Sequence, residues 1–248
     1  MKETVADRIL RLRKDDKKST KDRVTDSMKT IKRLCSFLLL CALIIAAYFV
    51  WQGYQGYREA LDEKSVEEMV REIEAKENYT TLDEMPLDYK NAVLAVEDKR
   101  FYKHPGIDPI AIGRALVHDI QAGAYVEGGS TITQQLAKNQ FFTQDKKIVR
   151  KISEMFMAFR IERTLDKDKI LELYLNSIYF GNGYYCVMDA SLGYFGKYPW
   201  EMDFDESTLL AGIPNAPNDY NPLINPELAM QRQAQVLEKM RKAGFLEE

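Results

Sequence analysis

The chain has 248 residues, of which 46% are hydrophobic, enough to bury a core in one or two domains. Its formal charge of -3 conceals a division, because residues 1–33 carry 12 Lys and Arg against 6 Asp and Glu, whereas the remainder carries 23 against 32. With three cysteines, two histidines and no C-x-x-C pair, the composition argues against a disulfide-stabilised or zinc-binding protein.

An uncharged segment, residues 34–51, is the first feature in chain order. As a helix it would extend roughly 27 Å, about the thickness of the hydrocarbon core of a membrane. Basic residues directly precede it, and Tyr48, Trp51 and Tyr54 collect at its far end. The positive-inside rule and the aromatic belt predict a single-pass anchor, with residues 1–33 as a basic cytoplasmic tail and the body of the chain outside the cell membrane.

Two other interpretations of this segment fit the sequence less well. A cleaved signal peptide would have an unusually long basic region here, and no small-x-small cleavage site follows the apolar run. A buried core helix would not need the step in charge that flanks the segment. The sequence therefore favours an uncleaved anchor.

Residues 52–78 have the pattern of a juxtamembrane helix followed by a linker. Ser65 and Glu68 have the spacing of a capping box, in which each side chain binds the backbone N–H of the other residue. Apolar residues recur at helical spacing from there, at Val66, Met69, Val70 and Ile73. We predict that this segment is either a stalk or a docking element.

Residues 79–248 are predicted to form one compact, mostly α domain, because alternating strand patterns are scarce. Asp108 and Pro109 supply a cap and a first-turn proline for one helix, and Gly244 ends the last one. The predicted helices are 87–100, 110–120, one that begins at Ser130, 145–165, 167–177, 206–212 and 226–243.

The stretch 128–139 reads GGSTITQQLAKN and carries the clearest signal of a binding site. Two glycines precede Ser130, which we expect to cap a helix. On that helix Thr131, Gln135 and Lys138 would share one face. A glycine-rich turn into a helix N-terminus favours anions, so the stretch predicts a site for a polar, anionic ligand. An ordinary capped surface helix is the alternative.

Two carboxylates are candidates for chemistry. Glu97 lies where an amphipathic helix turns from apolar to polar, and Arg150 and Glu154 are spaced to meet on one helix. The sequence contains no G-x-S-x-G, H-E-x-x-H, P-loop, G-x-G-x-x-G, or S-x-x-K with K-T-G pattern. Two carboxylates, a few cations and an amide-rich helix suggest sugar chemistry with a phosphate leaving group.

The sequence resembles the family 51 glycosyltransferases, the peptidoglycan polymerases, in five stretches that occur in the same order. They are Glu97-Asp98…Phe101…His104…Gly106, Gly129-Ser130-Thr131-Ile132-Thr133-Gln134-Gln135…Lys138-Asn139, Arg150-Lys151…Glu154, Lys169-Ile170-Leu171-Glu172…Tyr174-Leu175-Asn176 and Ala211-Gly212…Pro214…Pro217. The resemblance runs from about residue 79 to residue 246 and implies a lysozyme-like helical domain behind a single transmembrane helix.

The resemblance also implies the reaction. Members of the family polymerise lipid II, a disaccharide-pentapeptide on undecaprenyl diphosphate, into β-1,4-linked glycan, with inversion and release of undecaprenyl diphosphate. Such an enzyme serves cell-wall biogenesis and cell shape, with the membrane, the growing glycan and other cell-wall synthesis proteins as partners and no nucleic acid. The chain ends where bifunctional relatives continue into a transpeptidase, so a monofunctional enzyme is expected.

By position, the resemblance makes Glu97 the general base on the attacking hydroxyl. It makes Glu154 a second carboxylate that either orders the donor site or assists a divalent cation, Mg²⁺ or Mn²⁺; no metal ligand and no organic cofactor are assigned. Lys138 and Arg150 would hold the donor diphosphate. The other substrate-binding residues that it implies are Asp98, Phe101, His104, Ser130, Thr131, Gln134, Gln135, Asn139 and Lys151.

One departure and two alternatives complete the sequence-based expectations. Where the family has a glycine after the Gly183 turn, this chain has Cys186, which would be strained if a positive φ were needed there. A lytic enzyme that cleaves glycan is the nearest alternative function. A non-catalytic, membrane-anchored wall-binding protein is the other, although the presence of both Glu97 and Glu154 argues against it.

Overall fold

The computed structural model describes residues 5–123, 128–143 and 148–247, and no strand occurs among them. This confirms the predicted mostly α class and fits a lysozyme-like helical domain. The helices are α1 (Val5–Glu63), α2 (Val66–Glu74), α3 (Leu87–Glu97), α4 (Pro109–Ala122), α5 (Ile132–Phe141), α6 (Ile148–Thr164), α7 (Lys167–Leu175), α8 (Val187–Phe195), α9 (Phe204–Gly212) and α10 (Pro226–Ala243). Four short 3₁₀ turns are Leu82–Glu84, Phe101–Lys103, Pro199–Glu201 and Ile213–Asn215.

The chain divides into two compact units, Met1–Trp51 and Gln52–Glu248. Within the described residues, one segment is long and apolar enough to cross a membrane, Ile31–Glu63, with a mean hydropathy of 2.5. The most apolar 18-residue stretch of this segment has no buried residue, unlike the core helix of a soluble protein. The predicted anchor, residues 34–51, lies inside it.

The second unit begins with the last turns of α1 and with α2, and both contribute to its hydrophobic core. Ala60, Val66, Met69 and Ile73 are all buried there. The predicted capping box at Ser65 is confirmed, because Glu68 N donates to Ser65 Oγ at 3.1 Å and Ser65 N donates to Glu68 Oε2 at 2.8 Å. Helix α2 thus packs into the core of the second unit, and its role as a stalk or a docking element stays a prediction.

The core brings two groups of helices together. Helix α3 packs against α9 and α10, and α5 packs against α6 and α7. Large side chains of one hydrophobic core are fully buried, including Tyr89 on α3, Leu136 on α5 and Tyr174 on α7. Polar side chains at the ends of α3 and α5, and along α6, therefore stand on helices that the core holds rigidly.

Two of the differences between the predicted and the observed helix boundaries matter for the site. Helix α3 ends at Glu97 rather than at residue 100, because Asp98 leaves the helical conformation with φ −159° and ψ 74°. Helix α5 is capped by Thr131 rather than by Ser130, because Gln134 forms a capping box with Thr131. The prediction had placed the cap one residue earlier. The predicted start of the next helix, at 145, lies outside the described residues.

The predicted strain at Cys186 was wrong. Its φ of −153° and ψ of 164° are ordinary extended backbone, and its sulfur caps α8 by accepting a hydrogen bond from Asp189 N at 3.4 Å. The positive φ angles fall instead on Gly181, Asn182 and Gly183, where the sequence predicts a turn. A glycine is thus not required at position 186.

Candidate active site

Glu97 is the last residue of α3 and is half-buried at the end of the helix. Gln135 Nε2, from α5, donates a hydrogen bond of 2.6 Å to Glu97 Oε2. Within the described part of the chain, Glu97 Oε1 accepts no hydrogen bond. The carboxylate is therefore held by one oxygen and presents the other, as a general base requires.

Tyr174 on α7 completes a chain of three side chains. Its hydroxyl donates to Gln135 Oε1 at 3.2 Å, so the amide of Gln135 must turn its NH₂ group toward Glu97. Burial, and then the charge of Glu97, raise the pKa of Tyr174 well above its usual range, which keeps the phenol protonated as a donor. The resemblance assigned no role to Tyr174, and its apolar neighbours indicate only a core position.

Asp98 joins the first motif to the start of α5. Its carboxylate lies 2.9 and 3.0 Å from His104 Nε2 and accepts the backbone N–H of Ile132 at 3.1 Å. Gly106 N donates to His104 Nδ1 at 3.2 Å, so the proton of a neutral imidazole belongs on Nε2, facing Asp98. Both Asp98 and His104 are buried, and their partners are protein groups, which fits a positioning role.

Three other predicted residues also face the protein interior. The ring of Phe101 is buried beneath Lys167 Nζ, 4.2 Å from the ring centroid. Thr131 and Gln134 are each 2% exposed and satisfy each other in the capping box, and Thr131 Oγ1 also donates to Gly106 O at 2.6 Å. These residues fix the backbone around the site, and their direct contact with substrate stays a prediction.

Glu154 on α6 is a buried carboxylate between two cations. Only 1% of it is exposed, with Oε1 3.0 Å from Arg150 Nε and Oε2 3.0 Å from Lys151 Nζ. Neither ion pair has hydrogen-bond geometry, so both carboxylate oxygens and Arg150 Nε lack a hydrogen bond from any described residue. Buried polar atoms in this condition are uncommon and indicate a place where a ligand or water completes the site.

The two cations beside Glu154 are also tied to the segments that flank α5. Lys151 Nζ donates to Ser130 Oγ at 2.7 Å, and Arg150 Nη1 donates to the backbone oxygen of Thr143 at 3.0 Å. Asn139 is exposed, and its side chain makes no hydrogen bond within the described ranges. The structure thus brings Ser130 into contact with the cationic cluster and leaves the side chain of Asn139 exposed.

Lys138 stands on α5, one turn beyond Gln135. It is half-buried and forms no hydrogen bond or ion pair with a described residue. Burial lowers its pKa, which Arg150 and Lys151 lower further, while Glu154 and Glu97 oppose the shift. Lys138 therefore lies within electrostatic range of both carboxylates and is a cation that a bound anion would stabilise.

The donor set near Glu154 does not fit a divalent cation held by the protein. Within the described residues, no three His, Cys, Asp or Glu side chains are grouped as a metal site would need. A metal ion at Glu154 would instead face the positive charges of Arg150 and Lys151.

Comparisons with known proteins identify the family of the chain. The family model described as Transglycosylase matches residues 62–241. The chain is 51% identical over 171 residues to penicillin-binding protein 1A of Aquifex aeolicus (strain VF5), covering 69% of this chain and 24% of that protein. It is 38% identical over 236 residues to penicillin-binding protein 1F of Bacillus subtilis (strain 168), covering 88% and 33%.

A third relative, penicillin-binding protein 1A of Neisseria flavescens, is 43% identical over 173 residues, covering 70% of this chain and 22% of that protein. The chain thus spans between about a fifth and a third of the length of these curated relatives. The family match begins at residue 62, so it includes α2 as well as the domain predicted from residue 79. Because that match covers most of the chain, this protein belongs to the transglycosylase family.

Proposed function

We propose that this protein is a peptidoglycan glycosyltransferase that polymerises lipid II into β-1,4-linked glycan. The observation that carries the proposal is the arrangement along α5, where Gln135 holds Glu97 and Lys138 follows one turn later beside the cluster around Glu154. Helix α5 and its neighbours thus carry a carboxylate that can accept the proton of a hydroxyl, and cations that can bind a diphosphate. Membership of the transglycosylase family supports the same reaction.

Glu97 acts as the general base. The 4-hydroxyl of the incoming disaccharide gives its proton to Glu97 Oε1, and its oxygen attacks the anomeric carbon of the donor chain. The bond from that carbon to the diphosphate oxygen breaks, and its electron pair leaves with undecaprenyl diphosphate. Attack opposite the leaving group inverts the anomeric centre, and the hydrogen bond from Gln135 fixes the carboxylate for it.

The leaving diphosphate is held by cations. Lys138, Arg150 and Lys151 surround the position, and charge-assisted hydrogen bonds from such groups are about twice as strong as neutral ones. Negative charge grows on the leaving oxygen in the transition state, where preorganised cations contribute most. Because the leaving group is already good, no strong general acid is needed opposite Glu97.

Glu154 orders the donor site. Its two oxygens each contact one cation at 3.0 Å and so fix Arg150 and Lys151 in place for the diphosphate. Of the two roles that the resemblance leaves open, the cationic surroundings of Glu154 favour this one over assistance to a protein-held Mg²⁺ or Mn²⁺. No step of the proposed reaction passes through a metal ion or an organic cofactor.

The proposed location is the cell membrane, crossed once, with the N-terminus in the cytoplasm and the catalytic domain outside. The apolar segment Ile31–Glu63 and the basic residues before it support this topology. An anchor keeps the enzyme in the plane of its lipid substrate and raises their effective concentration. That the native enzyme acts without a transpeptidase domain, or with other cell-wall synthesis proteins, stays a prediction.

A product assay tests the proposal against its alternatives. We expect the detergent-solubilised full chain to convert labelled lipid II into a ladder of glycan polymer. Release of fragments from finished glycan, with no polymer from lipid II, would instead identify a lytic enzyme. Failure to change either substrate, by a protein that is folded by circular dichroism, would identify a non-catalytic binding protein.

A further inference from the structure

A cavity of about 600 Å³ lies between the last turns of α1 and helix α6. Its walls combine aromatic rings with guanidinium groups. The lining residues include Tyr54, Tyr57 and Arg58 from α1 and Phe156, Arg160 and Arg163 from α6. The proposed glycosyl transfer uses none of these residues.

The cavity is preformed, because the two helices beside it are in close contact. A Cβ atom added to Gly53 would lie 2.4 Å from Ile152 Cγ2, and Ser153 Oγ donates a hydrogen bond of 2.8 Å to the backbone oxygen of Gly53. The ring of Phe156 then packs 5.5 Å from that of Tyr54 and 5.9 Å from that of Tyr57, between ring centroids. These contacts hold the aromatic wall in place.

The three arginines of the cavity are not neutralised by the protein. None of Arg58, Arg160 and Arg163 forms an ion pair with a carboxylate within the described ranges. Asp62 acts on Arg58 only at longer range. A cavity with three guanidinium groups and an aromatic wall suits a ligand that has both a phosphate and an apolar part.

Helix α6 separates this cavity from the proposed diphosphate site. At about 100° per residue, Arg150 and Glu154 fall on one side of the helix, Phe156 and Arg163 fall on the opposite side, and Arg160 falls between the two. A lipid diphosphate bound at Lys138 therefore does not reach the cavity through the same contacts. A ligand of the cavity would therefore be separate from the proposed diphosphate.

The sequence indicates where that ligand comes from. Tyr54 is the third residue after Trp51, the last residue of the predicted anchor 34–51, so the wall of the cavity begins within one helical turn of the end of that anchor. We infer that the cavity binds an anionic phospholipid, with arginines on the headgroup phosphate and aromatic rings beside the glycerol and the first acyl carbons. The inference rests on the proposed membrane anchoring and not on the proposed glycosyl transfer.

Native mass spectrometry of the full chain in detergent tests this directly. We expect the wild type to retain phosphatidylglycerol in preference to phosphatidylcholine. The double variant Arg160→Ala, Arg163→Ala should bind phosphatidylglycerol about 25-fold more weakly, since each arginine at a lipid surface contributes about five-fold. Arg241→Ala, an exposed arginine at the end of α10, is the matched control and should bind like the wild type.

Three outcomes would overturn the inference. The first is that the double variant binds phosphatidylglycerol with the wild-type affinity, and the second is that Arg241→Ala loses as much of this affinity as the double variant. The third is that millimolar inorganic phosphate displaces the lipid completely, because the ligand would then be a free anion. The variant Arg160→Gln, Arg163→Gln repeats the test if the alanine variant does not fold. Because both arginines lie outside the proposed active site, lipid II turnover in detergent should stay within two-fold, so a failed inference and a failed proposed function give different results.

Discussion

At the scale of single residues, several of the predicted site residues are bonded to protein groups, as a positioning role requires. Asp98 and His104 are occupied with each other and with the start of α5. Glu97, as an acceptor, and Lys138, as a cation, retain capacity for a ligand. The hydrogen bond that orients Glu97 comes from Gln135, whose own orientation depends on Tyr174.

Replacing Tyr174 with Phe should therefore slow polymerisation without unfolding the protein. The change removes one hydrogen bond, of about 0.5–1.5 kcal/mol, and lets the amide of Gln135 rotate away from Glu97. We expect kcat to fall about two- to ten-fold with little change in KM, measured by glycan formation from lipid II. Tyr89→Phe is the matched control, because the hydroxyl of this fully buried tyrosine has no partner among the described residues. Equal effects of the two substitutions would contradict the role of Tyr174.

Lys138 should show opposite effects on activity and on stability. Lys138→Met removes a charge-assisted contact of about 1.5–3 kcal/mol, so donor use should fall about ten- to 150-fold. The same change should raise the melting temperature at pH 7, because burial lowers the pKa of Lys138 and its charge therefore costs stability in the folded protein.

The pH dependence of stability tests the direction in which the pKa of Lys138 is shifted. The unfolded chain binds this proton more tightly, so wild-type stability gains as pH rises from the lowered pKa of Lys138 toward its ordinary value of 10.5. The variant lacks that gain, and its advantage at pH 7 should shrink by pH 10. Thermal melts at both pH values measure it; a variant that melts below the wild type at pH 7 would show that the charge is stabilised instead.

At the scale of helices, local signals predicted the elements well where a helix carries its own caps and periodic apolar residues. Helix α10 has the predicted bounds, 226–243, and the box at Ser65 is present. Helix α8 was not predicted, because its cap is the sulfur of Cys186, an unusual capping group. Helix α3 ends early because Asp98 turns to meet His104, a contact that local propensity does not encode.

The site was predictable as a set of residues but not as a set of contacts. Helical spacing placed Thr131, Gln135 and Lys138 on one face, yet the structure turns Thr131 into a cap and leaves Lys138 for a ligand. The contact of Gln135 with Glu97 joins residues 38 apart in sequence, so no local pattern predicts it. The sequence does not predict the contact of Tyr174 with Gln135, because the leucine and isoleucine neighbours of Tyr174 already account for its buried position.

The close contact between α1 and α6 makes a prediction at this scale. Gly53→Ala should destabilise the second unit, because the new Cβ would lie 2.4 Å from Ile152 Cγ2. Overpacking of this kind costs about 1–3 kcal/mol, or a fall of about 3–9 °C in the melting temperature. Gly113→Ala is the matched control: it is also helical, has nothing within 4 Å of a Cβ, and should gain up to about 1 kcal/mol from helix propensity. Melts in detergent in which both variants shift alike would contradict the close contact.

At the scale of the whole molecule, the separation of charge predicts its topology. Residues 1–33 are basic and the remainder is acidic, with an uncharged run between them. A protease added outside intact spheroplasts should therefore degrade the body of the chain and spare a tag placed at the N-terminus. Protection of the body together with loss of the tag would reverse the orientation and exclude polymerisation at the outer surface.

The rate of glycan polymerisation by Glu97→Gln tests the central claim most directly. Glutamine keeps the shape of the side chain but cannot take the proton of the attacking hydroxyl, and a general base contributes about 10²–10⁴-fold. We predict that the variant, folded by circular dichroism and still binding lipid II, forms polymer slower by that factor, while Glu227→Gln, an exposed glutamate on α10, keeps the wild-type rate. Polymerisation by Glu97→Gln within a few-fold of the wild type would remove Glu97 as the base and contradict the mechanism.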